Sequence, residues 1–220
     1  MRFNPNPVGP VFYAQRRHAH TLTAQGLDLQ FGTNVLGHYF RTVPLVPALS
    51  VSTQSRGSPA RISNVSSLGH RDAPAGLGIE FGSLLGGKDR DELIAKWGSA
   101  APRYLYGQSK LANILVSNHF AAKYTTLMST ALHPGGIRTG LRRYGSGIMH
   151  TIKDKLLYPP SEGALTQLWA AATAPASEIN GQYLVPWAKL APPGAADERA
   201  ANLMLRDELI AFLEKQVEGF

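Results

Sequence analysis

From Leu27 onward, apolar residues fall at helical spacing. Phe31, Val35 and Tyr39 stand four apart, and Leu36 and Phe40 widen the stripe, which predicts an amphipathic helix. Residues 43–59, with three prolines and several serines, read as the end of that helix and a loop. Ala60–Ser66 reads as a short strand with Ile62 and Val65 as its apolar members, closing at Ser66-Ser67-Leu68-Gly69. Residues 70–100 hold six glycines and little periodicity, which predicts a long surface excursion with a short helix near Arg90–Trp97. A stronger helix is predicted from about Leu105 to Tyr124, with Leu111, Ile114 and Leu115 facing inward. Leu127–Leu132 reads as a strand closed by His133-Pro134-Gly135-Gly136. A mobile-looking stretch over 140–158 comes next, and then a helix from Ser161, a good N-cap residue, through Ala174. Asn180-Gly181 turns the chain into a strand, Gln182–Val185. Asp197 is placed to cap a last helix in which Leu205, Leu209, Leu213 and Val217 repeat every fourth residue.

Strands alternating with helices in this way argue for an α/β fold, a parallel sheet covered by helices on both faces. With 220 residues and 44% hydrophobic content, the chain suits one globular domain. Residues 1–25 stand apart, with Arg2, Arg16 and Arg17, prolines at 5, 7 and 10, and no acidic residue. There is no Cys, which removes disulfides, thiolate catalysis and cysteine-ligated zinc, and suits a reducing, cytoplasmic setting. No apolar run reaches the roughly 20 residues of a membrane span. The net charge of +7 favours anionic ligands. Its lysines and arginines are scattered, however, and without a basic stripe nucleic acid is not the expected partner. Arg16-Arg17-His18-Ala19-His20 offers too few ligands at sensible spacing for a metal.

The chemistry concentrates in Tyr106-Gly107-Gln108-Ser109-Lys110. A Tyr and a Lys four apart on a helix present phenol and ammonium on one face. A free phenol has a pKa of about 10, and bringing it near neutrality requires roughly 4 kcal/mol of preferential stabilisation of the phenolate. A lysine cation has the right sign for that, and so does an oxidised nicotinamide. Such a Tyr can accept a hydroxyl proton while hydride leaves the same carbon, and donate it back in the reverse direction. A serine at a neighbouring strand end, here Ser66 or Ser67, can hold the substrate oxygen. Tyr-x-x-x-Lys alone is common, and a surface Tyr with an incidental Lys has the same spelling. Asn34 in the preceding helix, Asn64-Val65-Ser66-Ser67 at a strand end and Pro134-Gly135 after the next strand make the coincidence less plausible. Taken singly, Ser66-Ser67 could be a turn, Asn34 a helix cap or bend, and Pro134-Gly135 a strand-ending turn. His133 fits a structural histidine better than a chemical one.

These stretches resemble the short-chain dehydrogenase/reductase family, in its retinol-dehydrogenase-like and fungal branches. The likeness runs over about residues 24–190. It is carried by Leu29–His38, Arg61–Ser67, Tyr106–Asn113 and Leu132–Thr139 in that order. The resemblance implies a Rossmann-like doubly wound sheet and an NAD(P)-dependent exchange between an alcohol and a carbonyl. It implies Asn34, Ser67, Tyr106 and Lys110 as the catalytic set. Tyr106 is then the proton donor and acceptor, Lys110 lowers its pKa and grips the nicotinamide ribose, Ser67 orients substrate, and Asn34 helps hold a proton-relay water. Pro134, Gly135, Ile137 and Thr139 would border the cofactor together with Tyr106 and Lys110. NADP is the expected form, because relatives with these motifs mostly use it. A homodimer through helices beside the last strands would follow family habit.

The family's Thr-Gly-x-x-x-Gly-x-Gly turn, which receives the cofactor pyrophosphate at a helix N-terminus, does not occur in the chain. Gly76-Leu77-Gly78-Ile79-Glu80-Phe81-Gly82 has the wrong spacing and follows no strand. The expectation is therefore the second half of such a sheet, about three recognisable strands with flanking helices over residues 26–220, in an N-terminally truncated family member. An edge that relatives bury would then be open, and Val11–Ala14 could cover it as a makeshift strand. Without the loop, dinucleotide binding should be weak. The alternative is a non-catalytic member retained as a binding or dimerising module. The expected substrate is a small apolar alcohol or carbonyl compound, from Trp97, Tyr104, Leu141 and Tyr144 in the flanking loops.

Overall fold

A computed structural model describes residues 19–138 and 157–219. Val11–Ala14, Arg16–His18, Thr139, Leu141 and Tyr144 lie outside the described residues.

The first helical run, α1, spans 29–56. It begins as Leu29–Phe31 and widens into a π turn over Gly32–Leu36. It then continues through Gly37–Thr42 and a 3-10 turn, Val43–Leu45, into Val46–Arg56. The loop expected from residue 43 is thus helix as far as Arg56. Pro44 and Pro47 sit in the first turns of their segments, where the missing N–H leaves no helical bond unmade. Gly57, at φ +66°, ends the run. Strand β1 is Ala60–Val65. Helices α2, Lys88–Trp97, and α3, Ala101–Lys123, lead to β2, Leu127–Leu132. Helix α4, Pro160–Leu168, passes into a π turn at Trp169–Thr173 and is followed by α5, Ala176–Ile179. Strands β3, Tyr183–Val185, and β4, Lys189–Leu190, precede α6, Leu203–Val217.

The sheet order is β1-β2-β3-β4. Strands β1, β2 and β3 are parallel, with Ala60 opposite Leu127 and Leu132 opposite Leu184. The two-residue β4 adds antiparallel to β3, and no periodicity in so short a segment announces it. Every residue of β2 is buried because its two faces serve two cores. Leu127 and Ala131 join Phe31, Val35, Leu111, Leu115, Leu205 and Leu209 under α1, α3 and α6. Met128 and Leu132 join Ala170, Ala174, Ile179 and Leu184 under α4 and α5. The result is the expected partial Rossmann-like α/β arrangement.

Three further expectations change. Ser161 does not cap α4, which starts at Pro160 without a side-chain cap; a proline at N1 has no N–H to satisfy. Asp197 caps only the short turn Glu198–Ala201, and the Asn202 side chain, accepting from Leu205 N–H, caps α6. The stretch 70–100 is not a surface excursion. His70, Ile79, Leu84, Arg90 and Ile94 are buried in it. Arg90 is anchored in the interior by the Asp28 carboxylate (2.9 Å) and by the carbonyls of Ser83 and Ala19.

Candidate active site

The site forms where β1 ends against α3. The approach depends on two glycines. A methyl on Gly107 would lie 2.5 Å from the Asp72 carbonyl carbon and the Ala73 nitrogen, so α3 presses its backbone directly onto the turn Leu68–Asp72. A methyl on Gly69 would lie 2.7 Å from Cε1 of Tyr106, so the Tyr106 ring rests on the Cα of Gly69. Ser67 opens that turn with extended backbone, and its Oγ accepts the Gly69 N–H at 3.1 Å. Ser67, Gly69 and Tyr106 are thereby packed into one corner. Beside it lies a cavity of about 580 Å³ lined by Gly69, Asp72, Ser99, Ala100, Pro102, Arg103 and Tyr106.

Lys110 lies one helical turn beyond Tyr106, with Nζ 5.8 Å from the ring centroid. The amine donates to the Val65 carbonyl at 3.0 Å and reaches Asn113 Oδ1 at 3.4 Å. No carboxylate forms an ion pair with it among the described residues, and burial pushes its pKa down to about 8. Asn113 turns its other end toward α1, donating from Nδ2 to the Asn34 carbonyl at 2.7 Å. The Asn34 amide donates to Ser109 Oγ at 3.1 Å, and Ser109 donates to the Tyr106 carbonyl at 2.8 Å. Asn34 therefore sits in the π turn of α1 and is tied twice to α3. The π turn that holds Asn34 serves this contact, since such a turn releases a carbonyl from the helical ladder. Ser66 is buried and donates to the Lys110 carbonyl at 2.8 Å, while the Ser67 hydroxyl lies beside Gly69, the residue against which the Tyr106 ring packs.

Pro134 and Gly135 follow β2. Gly135 adopts φ +91°, which favours glycine, and a Cβ there would also stand tight against Pro186 at 3.0 Å. His133 Nδ1 accepts the Gly135 N–H at 3.2 Å, which needs that nitrogen unprotonated. Burial pushes the His133 pKa down to about 4, and this is the structural role expected of it. Ile137 bridges to Tyr158 and packs into the space left by Gly163.

Asn34, Ser67, Tyr106 and Lys110 are thus brought together, and Pro134, Gly135 and Ile137 lie on the loop after the neighbouring strand. Trp97 and Tyr104 do not line the cavity. They pack edge to face at 5.6 Å, with Trp97 against the small cluster of Ala19, Ile94, Ala101 and Leu105. The segment Gly76–Gly82 holds no phosphate-loop geometry. Gly78, at φ +85°, lies against Leu111 and Arg199. Sequence reasoning missed Asn113, Ser109, Gly69 and Gly107. A glycine inside a strongly periodic helix was a usable signal for the last of these.

No family model matches the chain. Among curated proteins, a short-chain dehydrogenase/reductase of Armillaria gallica is 34% identical over 201 residues, 90% of this chain and 60% of that protein. Retinol dehydrogenase 11 of Mus musculus is 33% identical over 191 residues, 78% of this chain and 54% of that enzyme. The chain belongs to the short-chain dehydrogenase/reductase family. It spans about 60% of the length of the first of these relatives. A crystal structure of an uncharacterised protein from Mycobacterium paratuberculosis has a TM-score of 0.57 at 25% identity, covering 90% of this chain and 62% of that one. The names of its homologues are those of dehydrogenases, reductases and oxidoreductases. No helix among the described residues is long and apolar enough to cross a membrane.

Proposed function

We propose that this chain carries the proton-transfer centre of an NAD(P)-dependent oxidoreductase that interconverts an alcohol and a carbonyl compound. The observation that carries the reading is the seating of the Tyr106 ring on Gly69, beside Ser67 and with the Lys110 amine one turn away. Tyr106 takes the hydroxyl proton in oxidation and returns it to the carbonyl oxygen in reduction. Ser67 holds that oxygen in place. At pH 7 an amine with a pKa of about 8 is still mostly protonated, so Lys110 favours the phenolate. Asn34 acts through Asn113, which spans from its carbonyl to the Lys110 amine.

Lys110 suits a cofactor ribose, because a half-buried cation that donates to a carbonyl and an amide oxygen keeps a third N–H for a diol. A bound nicotinamide supplies the hydride donor or acceptor. Tyr106, Lys110, Pro134, Gly135, Ile137 and Thr139 are the proposed cofactor contacts. NADP is the proposed form, by likeness to relatives with these motifs. The substrate is proposed to be a small apolar alcohol or carbonyl compound, in keeping with the retinol dehydrogenases among the relatives. Ala100, Pro102 and the Tyr106 ring offer it an apolar wall.

The test is a titration of the purified chain with NADPH, followed by cofactor fluorescence, and then turnover of an apolar aldehyde by wild type and Tyr106→Phe. The expected result is saturable binding by both proteins, with turnover reduced by roughly 10²–10⁴ in the variant. Absence of saturable binding, or turnover indifferent to Tyr106, refutes the reading and leaves the non-catalytic alternative.

A further inference from the structure

Ser67 is not held by its own strand alone. His70 is wholly buried in the middle of the turn that Ser67 opens, and it touches Ser67 twice. Its backbone N–H donates to the Ser67 carbonyl at 3.0 Å, and its ring Nδ1 lies 2.6 Å from the same oxygen. The other ring nitrogen, Nε2, lies 3.0 Å from the backbone nitrogen of Asp197, a residue 127 positions away. A backbone N–H can only donate, so Nε2 carries a lone pair. A carbonyl can only accept, so the proton of the neutral imidazole sits on Nδ1. Both contacts demand one tautomer. A doubly protonated ring would turn an Nε2–H against the Asp197 N–H and lose that partner.

The connection is reinforced on both sides. Arg71 donates to the carbonyls of Gly194 and Ala195, and Arg199, paired with the Asp197 carboxylate, donates to the Pro74 carbonyl. Tyr183 places its ring edge to face against His70 at 5.3 Å, with its hydroxyl 3.4 Å from Nδ1, and His133 also packs against Tyr183. The charged and titratable groups facing His70 are thus Arg71, Asp197, Arg199, Tyr183 and His133.

We propose that His70 is the positioning residue for Ser67. Its Nδ1–H grips the Ser67 carbonyl and so sets where the Ser67 hydroxyl stands beside Tyr106, while the Asp197 amide, donating to Nε2, keeps the ring proton on Nδ1. This rests on the reading of Ser67 as the hydroxyl that orients substrate. The geometry of the latch itself does not.

Two substitutions separate the arms of the imidazole. In His70→Asn the side-chain amide nitrogen takes the place of Nδ1 and still donates to Ser67, while the acceptor for Asp197 is lost. In His70→Gln the side-chain oxygen takes the place of Nε2 and still accepts from Asp197, while the donor to Ser67 is lost. With both variants folded by circular dichroism, His70→Asn should keep kcat within about threefold. His70→Gln should lose at least about tenfold in kcat, with KM changed by less than about twofold. Equal losses in the two variants, or an effect confined to KM, would overturn the proposal. Nitrogen-15 spectra of the wild-type chain at pH 7 should report a neutral His70 with the proton on Nδ1. The Asp197 amide should resist hydrogen exchange in wild type and His70→Gln and exchange faster in His70→Asn. An Nε2–H tautomer, or equal Asp197 exchange in all three, sinks the latch even in a chain with no turnover. Absence of turnover in wild type with the spectra as expected instead removes the reading of the site and keeps the latch.

Discussion

Replacing Gly107 with Ala adds one methyl group at the point where α3 presses on the turn that carries Ser67 and Gly69. That methyl would stand 2.5 Å from the Asp72 carbonyl carbon and the Ala73 nitrogen, and 2.6 Å from the Asp72 oxygen. All three are backbone atoms, so no rotamer change relieves the clash. Carbon contacts settle at about 3.5–4.0 Å, so the turn and the helix must part by about 1 Å. Overpacking of this kind costs about 1–3 kcal/mol. Alanine in a helix interior returns about 0.5–1 kcal/mol relative to glycine. At the middle of both ranges the net expectation is a loss of about 1 kcal/mol, read as a lower urea midpoint at unchanged slope. The same displacement separates Ser67 from Tyr106, and a misplacement of about 1 Å can lower turnover about 10²-fold. Gly82→Ala serves as the control, because its methyl would meet only side-chain atoms, Leu93 Cδ1 at 3.4 Å and Asp89 Cβ at 3.7 Å. If Gly107→Ala were as stable as wild type, the argument that this glycine exists for the close approach would be wrong.

Two other outcomes follow from buried charge. Arg90→Met strands the Asp28 carboxylate, which burial already pushes toward its neutral form, and should cost about 3–5 kcal/mol in urea unfolding. Adding Asp28→Asn should recover part of that loss, since Asn still caps α1 at Phe31 N–H; no recovery would argue against an uncompensated charge as the cause. The second concerns pH. His133 is held neutral down to about 4, so the unfolded chain binds the extra proton below about pH 6.5. His133 should therefore contribute a fall in stability of about 3 kcal/mol as pH drops from 6.5 to 4, and His133→Gln should reduce the slope by that share. Lys110, at about 8, works in the alkaline window, where the unfolded amine stays protonated longer. Stability should rise between about pH 8 and 10 in wild type and stay flatter in Lys110→Met. Above pH 10 Tyr39, pushed up to about 12, pulls the opposite way. Slopes unchanged by these substitutions would show that neither group carries its proton linkage.

Much of the molecule is written in local pattern. The four-residue repeat of Phe31, Val35 and Tyr39, the apolar run Leu127–Leu132 and the repeat of Leu205, Leu209 and Leu213 in α6 each describe a face that must be buried, and each is buried. Tyr106 and Lys110 share a helix face by spacing alone, and the ordered motifs around them name the family. Prolines misled, because a proline in the first turn of a helical segment and a proline in a loop have the same spelling; only the backbone path around Pro44 and Pro47 tells them apart. What the tertiary structure decided is the set of contacts between residues far apart in the chain. Asp28 meets Arg90 across 62 positions, Asn34 meets Asn113 across 79, and His70 meets Asp197 across 127. Periodicity reports which side of an element faces the core, and it carries no information on which distant group waits there. The corner around Tyr106 needed both sources. Its chemistry is legible in the order of the residues, while the position of Ser67 beside the ring depends on two missing methyl groups, at Gly69 and Gly107, whose purpose appears only once α3 and the turn after β1 are packed together.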